Sequence, residues 1–482
     1  MIGKHISRTK QRARYVVMDY VTTSLAFFIF NIFRFNMLDL EHLGYDSLWE
    51  FIFSDKLIIE QGMVPVACLA IYWISGYYNE PLRKSRLSEL ITTVGSALFC
   101  TLLLFFALLI NDTTGVKLLD YEILLTLFGL LVIFVYAGRR ILTRITLRQL
   151  KERRWLYSSL IVGHGPKSRK VYRTLKESGS VWAYDVIGFV DLHSEFGGSP
   201  IEIDASEGLP VWKWDQIEEV AANHEIDQFI LAPEALTDDQ LMQLLKPLFP
   251  LNKPVKIAPD TLSFVTGNIR LDDIHAVPFI DLTSPRISEY QRNVKRTLDV
   301  LLSALGLIIA SPVMLVAAIG VKLSSPGPVV YRQERIGKGR RAFKILKFRS
   351  MRNDAEKDGP RLSSDNDSRI TDWGRIMRKY RIDELPQLWN IIRGEMSLVG
   401  PRPERLYYIE QIVERAPYYG LVFQVQPGLT SWGMVKHGYA STIEEMVDRS
   451  QYDLLYLNNM SLTTDFKIML HTINTVIKGK GK

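Results

Sequence analysis

Long apolar runs fill the first 140 residues of the chain, and they predict a bundle of membrane-spanning helices. A helix that crosses a bilayer needs a predominantly apolar run of about 17 residues or more. Four segments meet or approach that length, and the second and fourth lie near its lower limit. These segments are Tyr15–Phe35, Met63–Tyr78, Leu90–Ile110 and Tyr121–Ala137.

The charges between these segments predict the orientation of the bundle. Basic residues precede the first segment, separate the second from the third and follow the fourth, whereas the other two loops are mainly acidic. Because basic loops stay in the cytoplasm, both ends of the bundle are expected there. This alternation also argues against four core helices of a soluble protein. The basic residues are Lys4, Arg8, Lys10, Arg12, Arg14, Arg83, Lys84, Arg86, Arg139, Arg140, Arg144, Arg148, Lys151, Arg153 and Arg154.

A fifth apolar run, Val300–Val321, is long enough to span a membrane but has basic residues on both flanks. The charge rule therefore places both of its ends on the same side. Pro312 at its midpoint lacks an amide donor and clashes with the preceding turn, and Ser311 can bond a carbonyl that is freed there. We predict a re-entrant helix near residues 296–324 that enters the cytoplasmic leaflet, breaks at Ser311-Pro312 and returns. A kinked helix that spans fully is the alternative.

The next segment alternates short apolar strands with helices, which predicts a small doubly wound α/β domain. Gly163 and Gly165 follow the first strand as in a dinucleotide-binding turn, but Ser168 stands at the third glycine position and Pro166 interrupts the motif. Asp191 ends the second strand, where an acidic residue can meet a ribose. A nucleotide site and a structural or regulatory domain both remain open. The predicted strands are Ser159–Val162, Val186–Val190, Gln228–Leu231 and Val255–Ile257, and the predicted helices are Lys167–Glu177, Trp214–Ala222 and Asp238–Leu248.

Length and charge narrow the classes of function. At 482 residues the chain is too long for one ordinary domain, and its net charge is +7. No stacking module or zinc pattern supports nucleic acid as a partner, so a membrane surface and anionic phosphate substrates explain the basic residues better. The two cysteines, Cys68 and Cys100, lie in apolar segments and predict neither a disulfide framework nor a metal site.

Two adjacent carboxylates, Asp383 and Glu384, are the strongest candidates for catalysis. They stand where a helix is predicted to begin, with Pro386 in its first turn and Gly394 just past its end. A rigid Pro-Arg-Pro turn centred on Arg402 follows. One carboxylate of such a pair can attack a phosphate ester or hold a metal, while arginines take up the charge of the oxygens. The alternative is that Asp383 only caps the helix and Glu384 only faces its dipole.

Several blocks in the last third of the chain accompany this pair in a fixed order. They are Arg332-Gln333-Glu334-Arg335-Ile336-Gly337, Phe343, Lys347-Phe348-Arg349-Ser350-Met351, Gly374-Arg375 with Arg378, Asp383-Glu384-Leu385-Pro386-Gln387, Pro401-Arg402-Pro403 and Pro427-Gly428-Leu429-Thr430-Ser431-Trp432. With these blocks, the chain from about Lys295 to its end resembles the bacterial polyprenyl-phosphate sugar-1-phosphate transferases, known as the bacterial sugar transferase family. Four apolar segments, an α/β segment and then this domain are similar to the long, exopolysaccharide-initiating branch, which contains undecaprenyl-phosphate glucose and galactose phosphotransferases.

The chain departs from the usual family pattern at three places. The second glycine of the loop after Gly337 is Gly339, and the usual glycine position holds Arg340. Glu395 replaces a common aspartate, and Ser431 replaces a common glycine. None of these changes removes a carboxylate or an arginine from the presumed centre. They therefore concern loop shape and sugar preference more than the reaction.

The resemblance implies that a hexose 1-phosphate passes from a UDP-sugar to undecaprenyl phosphate with release of UMP, as the first membrane step of exopolysaccharide, capsule or O-antigen synthesis. Asp383 would be the nucleophile of a covalent route, and Asp383 and Glu384 would hold Mg²⁺. The resemblance also implies the re-entrant helix and a place in the bacterial inner membrane, with the catalytic domain on the cytoplasmic face among membrane lipids. The candidates for binding phosphate oxygens are Lys347, Arg349, Arg378, Arg381 and Arg402.

The resulting interpretation is a membrane protein that combines α and α/β architecture in three parts. Residues 1–150 form a four-helix transmembrane domain, residues 151–281 a Rossmann-like α/β domain, and residues 282–482 an α-rich catalytic domain with the re-entrant helix. Two other functions remain as alternatives: a membrane-anchored nucleotide-sugar dehydratase or epimerase, and a non-enzymatic scaffold for polysaccharide assembly. A homodimer and the identity of the sugar, with glucose and galactose favoured by analogy, stay open.

Overall fold

The computed structural model describes residues 8–37, 45–79, 81, 86–109, 117–151, 157–177, 184–197, 199–201, 208–234, 236–259, 279–283, 287–352, 355, 359, 367–438 and 440–478. Contacts divide the chain into two compact units. The first contains the apolar helices up to Tyr157, and the second contains most of the α/β segment together with the carboxyl-terminal segment. The finer division into three domains stays a prediction.

Long apolar helices make up the first unit. Their bounds are α1 Arg8–Met37, α2 Leu48–Ile52, α3 Asp55–Ile74, α4 Arg86–Leu104 with a π-helical extension at Phe105–Leu109, and α5 Lys117–Lys151. Each of α1, α3, α4 and α5 holds a run long and apolar enough to cross a membrane, as predicted. Phe30 and Leu131 are fully buried between the helices, while Val17 and Ile133 are exposed, which is typical of helices surrounded by lipid. Some loop charges that predict the orientation lie outside the described residues: Lys4, Arg83, Lys84, Arg153 and Arg154.

The fourth apolar helix does not end near Ala137, so the prediction that Arg139 lies in a loop is wrong. α5 continues, and Arg139 is fully buried among the helices. Its guanidinium pairs with Asp19 of α1 through three contacts: Nε to Oδ1 at 3.0 Å, Nε to Oδ2 at 3.1 Å and Nη2 to Oδ2 at 2.7 Å. It also donates to Thr93 of α4 at 3.0 Å and lies 3.7 Å from the centre of the Tyr77 ring. A charge can stay inside an apolar bundle when it is paired and hydrogen-bonded in this way.

A six-stranded sheet with helices between its strands opens the second unit. Its strands are β1 Tyr157–Gly163, β2 Tyr184–Asp191, β3 Val211–Lys213, β4 Gln228–Ala232, β5 Val255–Ile257 and β6 Ile280–Asp281, and its helices are α6 Gly165–Glu177, α7 His193–Phe196, α8 Ile217–Asn223 and α9 Asp238–Leu248. The strand order is β3-β2-β1-β4-β5-β6. β2 is parallel to β3, β4 is parallel to both β1 and β5, and the short β6 is antiparallel to β5. This order is that of a doubly wound sheet, as predicted. The edge strands β3 and β6 were not predicted.

The carboxyl-terminal segment combines one long helix, two small pairs of strands and several short helices. Its elements are α10 Glu289–Ser324, β7 Val330–Ile336, β8 Ala342–Phe348, α11 Asp372–Lys379, α12 Gln387–Arg393, β9 Ser397–Val399, α13 Leu406–Arg415, β10 Gly428–Thr430, α14 Trp432–Lys436, α15 Ile443–Asn458 and α16 Leu462–Ile477. β7 and β8 form an antiparallel hairpin, and β9 and β10 pair in parallel. α10 is one continuous helix that includes Pro312, and the Ser311 hydroxyl donates to the Ile308 carbonyl at 2.8 Å. The break at Ser311-Pro312 stays a prediction.

The loop that joins β7 to β8 shows how the chain accommodates its unusual glycine position. Gly339 and Arg340 both adopt left-handed backbone, with φ of 64° and 56°. That conformation strains a residue with a side chain, so Arg340 needs support. Its guanidinium lies 5.4 Å from the centre of the Phe423 ring, and Asn252 donates to the Gly339 carbonyl at 2.9 Å. These two contacts fix the loop in place.

Candidate functional site

The backbone turns sharply immediately before the two carboxylates. Arg381 is left-handed, with φ of 54°, and the residues Ile382–Glu384 form a single 3₁₀ turn. The helix predicted to start at Asp383 instead begins four residues later, as α12 at Gln387. Pro386 stands immediately before this helix, where its missing N–H costs no helical hydrogen bond. The end of the helix is as predicted, since Gly394 follows it with φ of 83°.

Three cations surround the Glu384 carboxylate. Lys347 Nζ lies 2.8 Å from Oε1, Arg381 Nη1 lies 3.2 Å from Oε2, and Arg402 Nη2 lies 3.7 Å from Oε1. Burial alone would raise the pKa of Glu384, but the charges of Lys347, Arg402 and Arg381 outweigh it and hold the pKa well below its usual range. Glu384 is therefore a permanent anion that holds basic side chains together at one point.

The neighbouring carboxylate has the opposite electrostatic environment. Asp383 is buried, and burial together with the charge of Glu384 raises its pKa above the ordinary value. Lys347, Arg378 and Arg381 pull that pKa down in part. Two adjacent carboxylates whose pKa values are pushed apart are typical of groups with different chemical roles.

The hairpin and α12 bring Lys347 to the site. Lys347 lies on β8 opposite Tyr331, one residue from the end of the strand. Asn390 of α12 ties the helix to this strand, because its Oδ1 accepts from Leu346 N at 3.0 Å and its Nδ2 donates to the Lys344 carbonyl at 2.9 Å. The same amide donates to Glu395 at 2.6 Å, which gives that replacement of the family aspartate a partner. Sequence reasoning missed Asn390, since the Leu346 and Lys344 backbone groups that it binds lie 44 and 46 positions away along the chain.

The other predicted phosphate-binding residues divide into two groups. Arg402 and Arg381 reach Glu384, and Arg378 acts electrostatically on Asp383. Arg349 is buried, and its guanidinium donates to the Pro326 carbonyl at 3.1 Å and to the Val321 carbonyl at 3.4 Å. It therefore stabilises the carboxyl end of α10, a favourable place for a cation. A role for Arg349 on phosphate stays a prediction.

The carboxylate pair is the predicted place for a divalent cation. In the part of the chain that the structure describes, no group of three or more histidine, cysteine or acidic side chains could enclose a metal ion. Mg²⁺ does not need such an enclosure, because it keeps several waters and is usually held by one or two carboxylates together with substrate phosphates. The donor set of Asp383 and Glu384 therefore fits Mg²⁺ that arrives with a diphosphate.

The glycine turn of the sheet has a less favourable environment for a phosphate. Ser168 donates to the Ala232 carbonyl at 3.0 Å behind the turn. A Cβ placed on Gly165 would lie 2.4 Å from the Glu234 carboxylate, so an acidic side chain covers the start of α6. A dinucleotide would need its phosphates at this point. The carboxylate argues against an anionic ligand there and favours a structural or regulatory domain.

Comparison with known proteins adds independent information. Residues 290–479 match the family model described as bacterial sugar transferase. A UDP-galactose-lipid carrier transferase of Erwinia amylovora is 32% identical over 349 residues, which cover 69% of this chain and 70% of that protein. The chain belongs to the bacterial sugar transferase family. The matched residues agree with the extent of the resemblance that the sequence blocks indicate.

Two further relatives of this sugar transferase carry related names. A UDP-N-acetylgalactosamine-undecaprenyl-phosphate N-acetylgalactosaminephosphotransferase of Aeromonas hydrophila is 39% identical over 217 residues, 45% of this chain and 51% of that protein. A UDP-glucose:undecaprenyl-phosphate glucose-1-phosphate transferase of Escherichia coli is 34% identical over 260 residues, 54% of this chain and 56% of that protein. The chain thus matches about half the length of these two relatives.

Proposed function

We propose that this protein transfers a sugar 1-phosphate from a UDP-sugar to undecaprenyl phosphate and releases UMP. The observation that carries the proposal is the buried Asp383 beside Glu384, an anion that gathers Lys347, Arg381 and Arg402. Such a cluster suits a reaction between two phosphate esters, since its cations can take up the charge of the oxygens. The names of the relatives support the same substrates. This step would begin exopolysaccharide, capsule or O-antigen assembly.

The chemistry proceeds in two displacements at Asp383. Its carboxylate oxygen forms a bond to the β-phosphorus of the UDP-sugar while the bond from that phosphorus to the bridging oxygen breaks, and UMP leaves. An oxygen of the lipid phosphate then bonds to the same phosphorus, and the acyl phosphate bond breaks to return the carboxylate. An acyl phosphate thereby replaces one encounter of two anions by two separate steps. The raised pKa of Asp383 fits a group that is a better nucleophile than an ordinary carboxylate.

The basic side chains and the metal divide the work of binding charge. Lys347, Arg381 and Arg402 turn from Glu384 toward the diphosphate oxygens, and Arg378 adds positive charge near Asp383. Asp383 and Glu384 would hold Mg²⁺, which would neutralise charge on the diphosphate and on the departing UMP. The geometry of this cluster favours an exchange in which the diphosphate oxygens replace Glu384 as the anionic partner of these basic side chains.

The re-entrant helix would place this chemistry at the membrane surface. Before the midpoint of α10, Gly306 lies against Leu388 of α12, and after it the Ala317 carbonyl accepts from Trp373 of α11 at 3.3 Å. The apolar Ile308 between them is 71% exposed. The two halves of α10 thus contact the helices that precede and follow the carboxylates in the chain, and these contacts support a re-entrant segment whose apolar middle enters lipid. With four preceding spans and basic flanks, the site faces the cytoplasm at the bacterial inner membrane.

Release of UMP tests the function directly. Purified protein in detergent would be mixed with undecaprenyl phosphate and, separately, UDP-glucose, UDP-galactose or UDP-N-acetylgalactosamine. We expect continuous release of UMP with at least one donor and only when the lipid phosphate is present. Continuous UMP release at the same rate without the lipid phosphate would mean hydrolysis of the UDP-sugar. Absence of UMP with every donor would support a scaffold instead.

Removal of divalent cations is expected to stop the same reaction. EDTA in excess should lower the rate of UMP release by at least about tenfold, because the diphosphate then keeps its full charge. Added Mg²⁺ should restore the rate. The thermal unfolding midpoint, measured with and without EDTA, controls for loss of structure. An unchanged rate in EDTA would remove Mg²⁺ from the proposal.

A further inference from the structure

Both proline carbonyls of the Pro401-Arg402-Pro403 turn are bound by donors from other elements. The Pro401 carbonyl accepts from Gly428 N at 2.8 Å, and the Pro403 carbonyl accepts from Arg335 Nη1 at 3.1 Å. Proline has no N–H, so the amide of Arg402 is the only backbone donor within these three residues. Whatever holds that amide sets the direction in which the Arg402 side chain leaves the turn.

The Asp453 carboxylate of α15 holds this amide. Asp453 is 4% exposed, and its Oδ1 accepts from Gly433 N at 2.9 Å. Burial raises the pKa of Asp453, and the Arg402 amide and the Ser431 hydroxyl, as donors to this carboxylate, lower it in part. A Cβ on Gly433 would lie 2.9 Å from Oδ1, so glycine permits the close approach of α14 to α15. Three donors from the turn and from the start of α14 thus converge on one buried anion.

Ser431 extends this arrangement to the guanidinium itself. This residue stands where relatives in the family commonly have glycine, and it is 1% exposed. Its hydroxyl donates to Asp453 and accepts from Met434 N at 3.0 Å, which caps α14. The Met434 sulfur in turn accepts from Arg402 Nη1 at 3.0 Å, and Arg402 Nη2 lies 3.7 Å from Glu384. Backbone and side chain of Arg402 are therefore both fixed by residues next to Asp453 and Ser431.

We propose that Asp453 and Ser431 are positioning residues that aim Arg402 at the phosphate-binding centre. Neither residue touches the two carboxylates, so their effect passes through Arg402. This inference rests on the proposed function, because it gives Arg402 a task in binding phosphate oxygens. A buried anion that served only folding would need no contact with the single donor of the turn.

A double-mutant cycle on UMP release tests the proposal. Asparagine at 453 offers one acceptor oxygen and an NH₂ group where three donors converge, so one donor must face another. Asp453→Asn should therefore lower kcat/KM by between about ten- and a hundredfold, the loss expected when a binding group is misplaced by about 1 Å. In an Arg402→Ala background the same change should cost less than about threefold, because Arg402 is no longer there to be aimed. Equal losses in both backgrounds would refute the positioning role.

Two matched comparisons separate position from stability. Asp448→Asn makes the same chemical change on the exposed face of α15 and should leave kcat/KM as in the wild type. Ser431→Thr keeps the hydroxyl, whereas Ser431→Val introduces a side chain of the same shape as threonine but without the hydroxyl. We expect the threonine variant to retain most of the rate and the valine variant to lose at least about tenfold of it, as a group misplaced within the site does. Equal rates in these two variants would count against Ser431.

Hydrogen exchange gives a readout that does not depend on turnover. Residues 401–403 contain one exchangeable backbone amide, that of Arg402. It should exchange slowly in the wild type and at least about tenfold faster in Asp453→Asn, since its acceptor is disturbed. Fast exchange in the wild type would overturn the inference. A wild type that releases no UMP but protects this amide would refute the proposed function and leave the position of Arg402 as inferred.

Discussion

Asp383→Asn is expected to lower sugar phosphate transfer by about a thousandfold or more without unfolding the protein. An amide oxygen cannot form the acyl phosphate, so the covalent route is closed. Asparagine has nearly the same shape as aspartate and fits the same buried place. Because burial and the charge of Glu384 raise the pKa of Asp383, its ionised form is disfavoured in the folded protein. A neutral side chain there should leave stability unchanged or slightly higher.

The measurement combines turnover with a search for the intermediate. With a labelled UDP-sugar and no lipid acceptor, the wild type should retain labelled sugar phosphate on the protein, and Asp383→Asn should retain none. Asp372→Asn is a suitable control, because Asp372 lies on the preceding helix α11 with a side chain that is 98% exposed. Substantial turnover by Asp383→Asn would remove the residue from the nucleophile role and leave it as a metal ligand.

The elements of the sheet could be predicted because their signals are local. Asp238–Leu248 and Val255–Ile257 have in the structure the bounds that their apolar spacing predicts. Each signal lies within about a dozen residues, so no distant partner is needed to recognise it. The predicted start of α12 was wrong because the local signal at that point is ambiguous. The pair Asp383 and Glu384 resembles a helix start, and only the left-handed Arg381 separates a 3₁₀ turn from that start.

The division of roles between the two carboxylates could not be predicted from the sequence. Asp383 and Glu384 are neighbours with nearly the same chemistry, and the sequence offers both to the same arginines. Their difference arises because Lys347 and Arg402 come from a strand end and a loop that fold against Glu384. For Arg349, the sequence predicts a role shared with Lys347, but the two side chains have different partners in the structure. Arg349 is separated from Lys347 by one residue, yet its hydrogen bonds go to the end of α10.

The burial of Arg139 is a third feature that depends on a partner far away along the chain. Hydropathy treats an arginine that follows an apolar run as the end of a span, and the charge rule then assigns it to a loop. Asp19, whose carboxylate neutralises it, lies 120 positions earlier in the chain. No local pattern connects the two residues. An acidic residue near the start of one span and a basic residue near the end of another is a signal that could have suggested the pair.

Asp19→Asn is accordingly expected to lower the free energy of unfolding of the helix bundle by about 3–5 kcal/mol. The change leaves the fully buried guanidinium of Arg139 without its counter-ion while Thr93 and the Tyr77 ring remain in place. Unfolding in a titration with denaturing detergent, followed by circular dichroism, measures the loss. Asp46→Asn controls for the substitution itself, because Asp46 is exposed.

The double variant Asp19→Leu with Arg139→Met distinguishes charge from packing. Replacing both members of a buried ion pair by apolar side chains of similar volume is often neutral or stabilising, whereas removing one member is costly. The double variant should therefore unfold at a higher detergent concentration than Asp19→Asn. A single variant as stable as the wild type would mean that lipid or water solvates Arg139. In that case the pair would not be what holds α1 against α5.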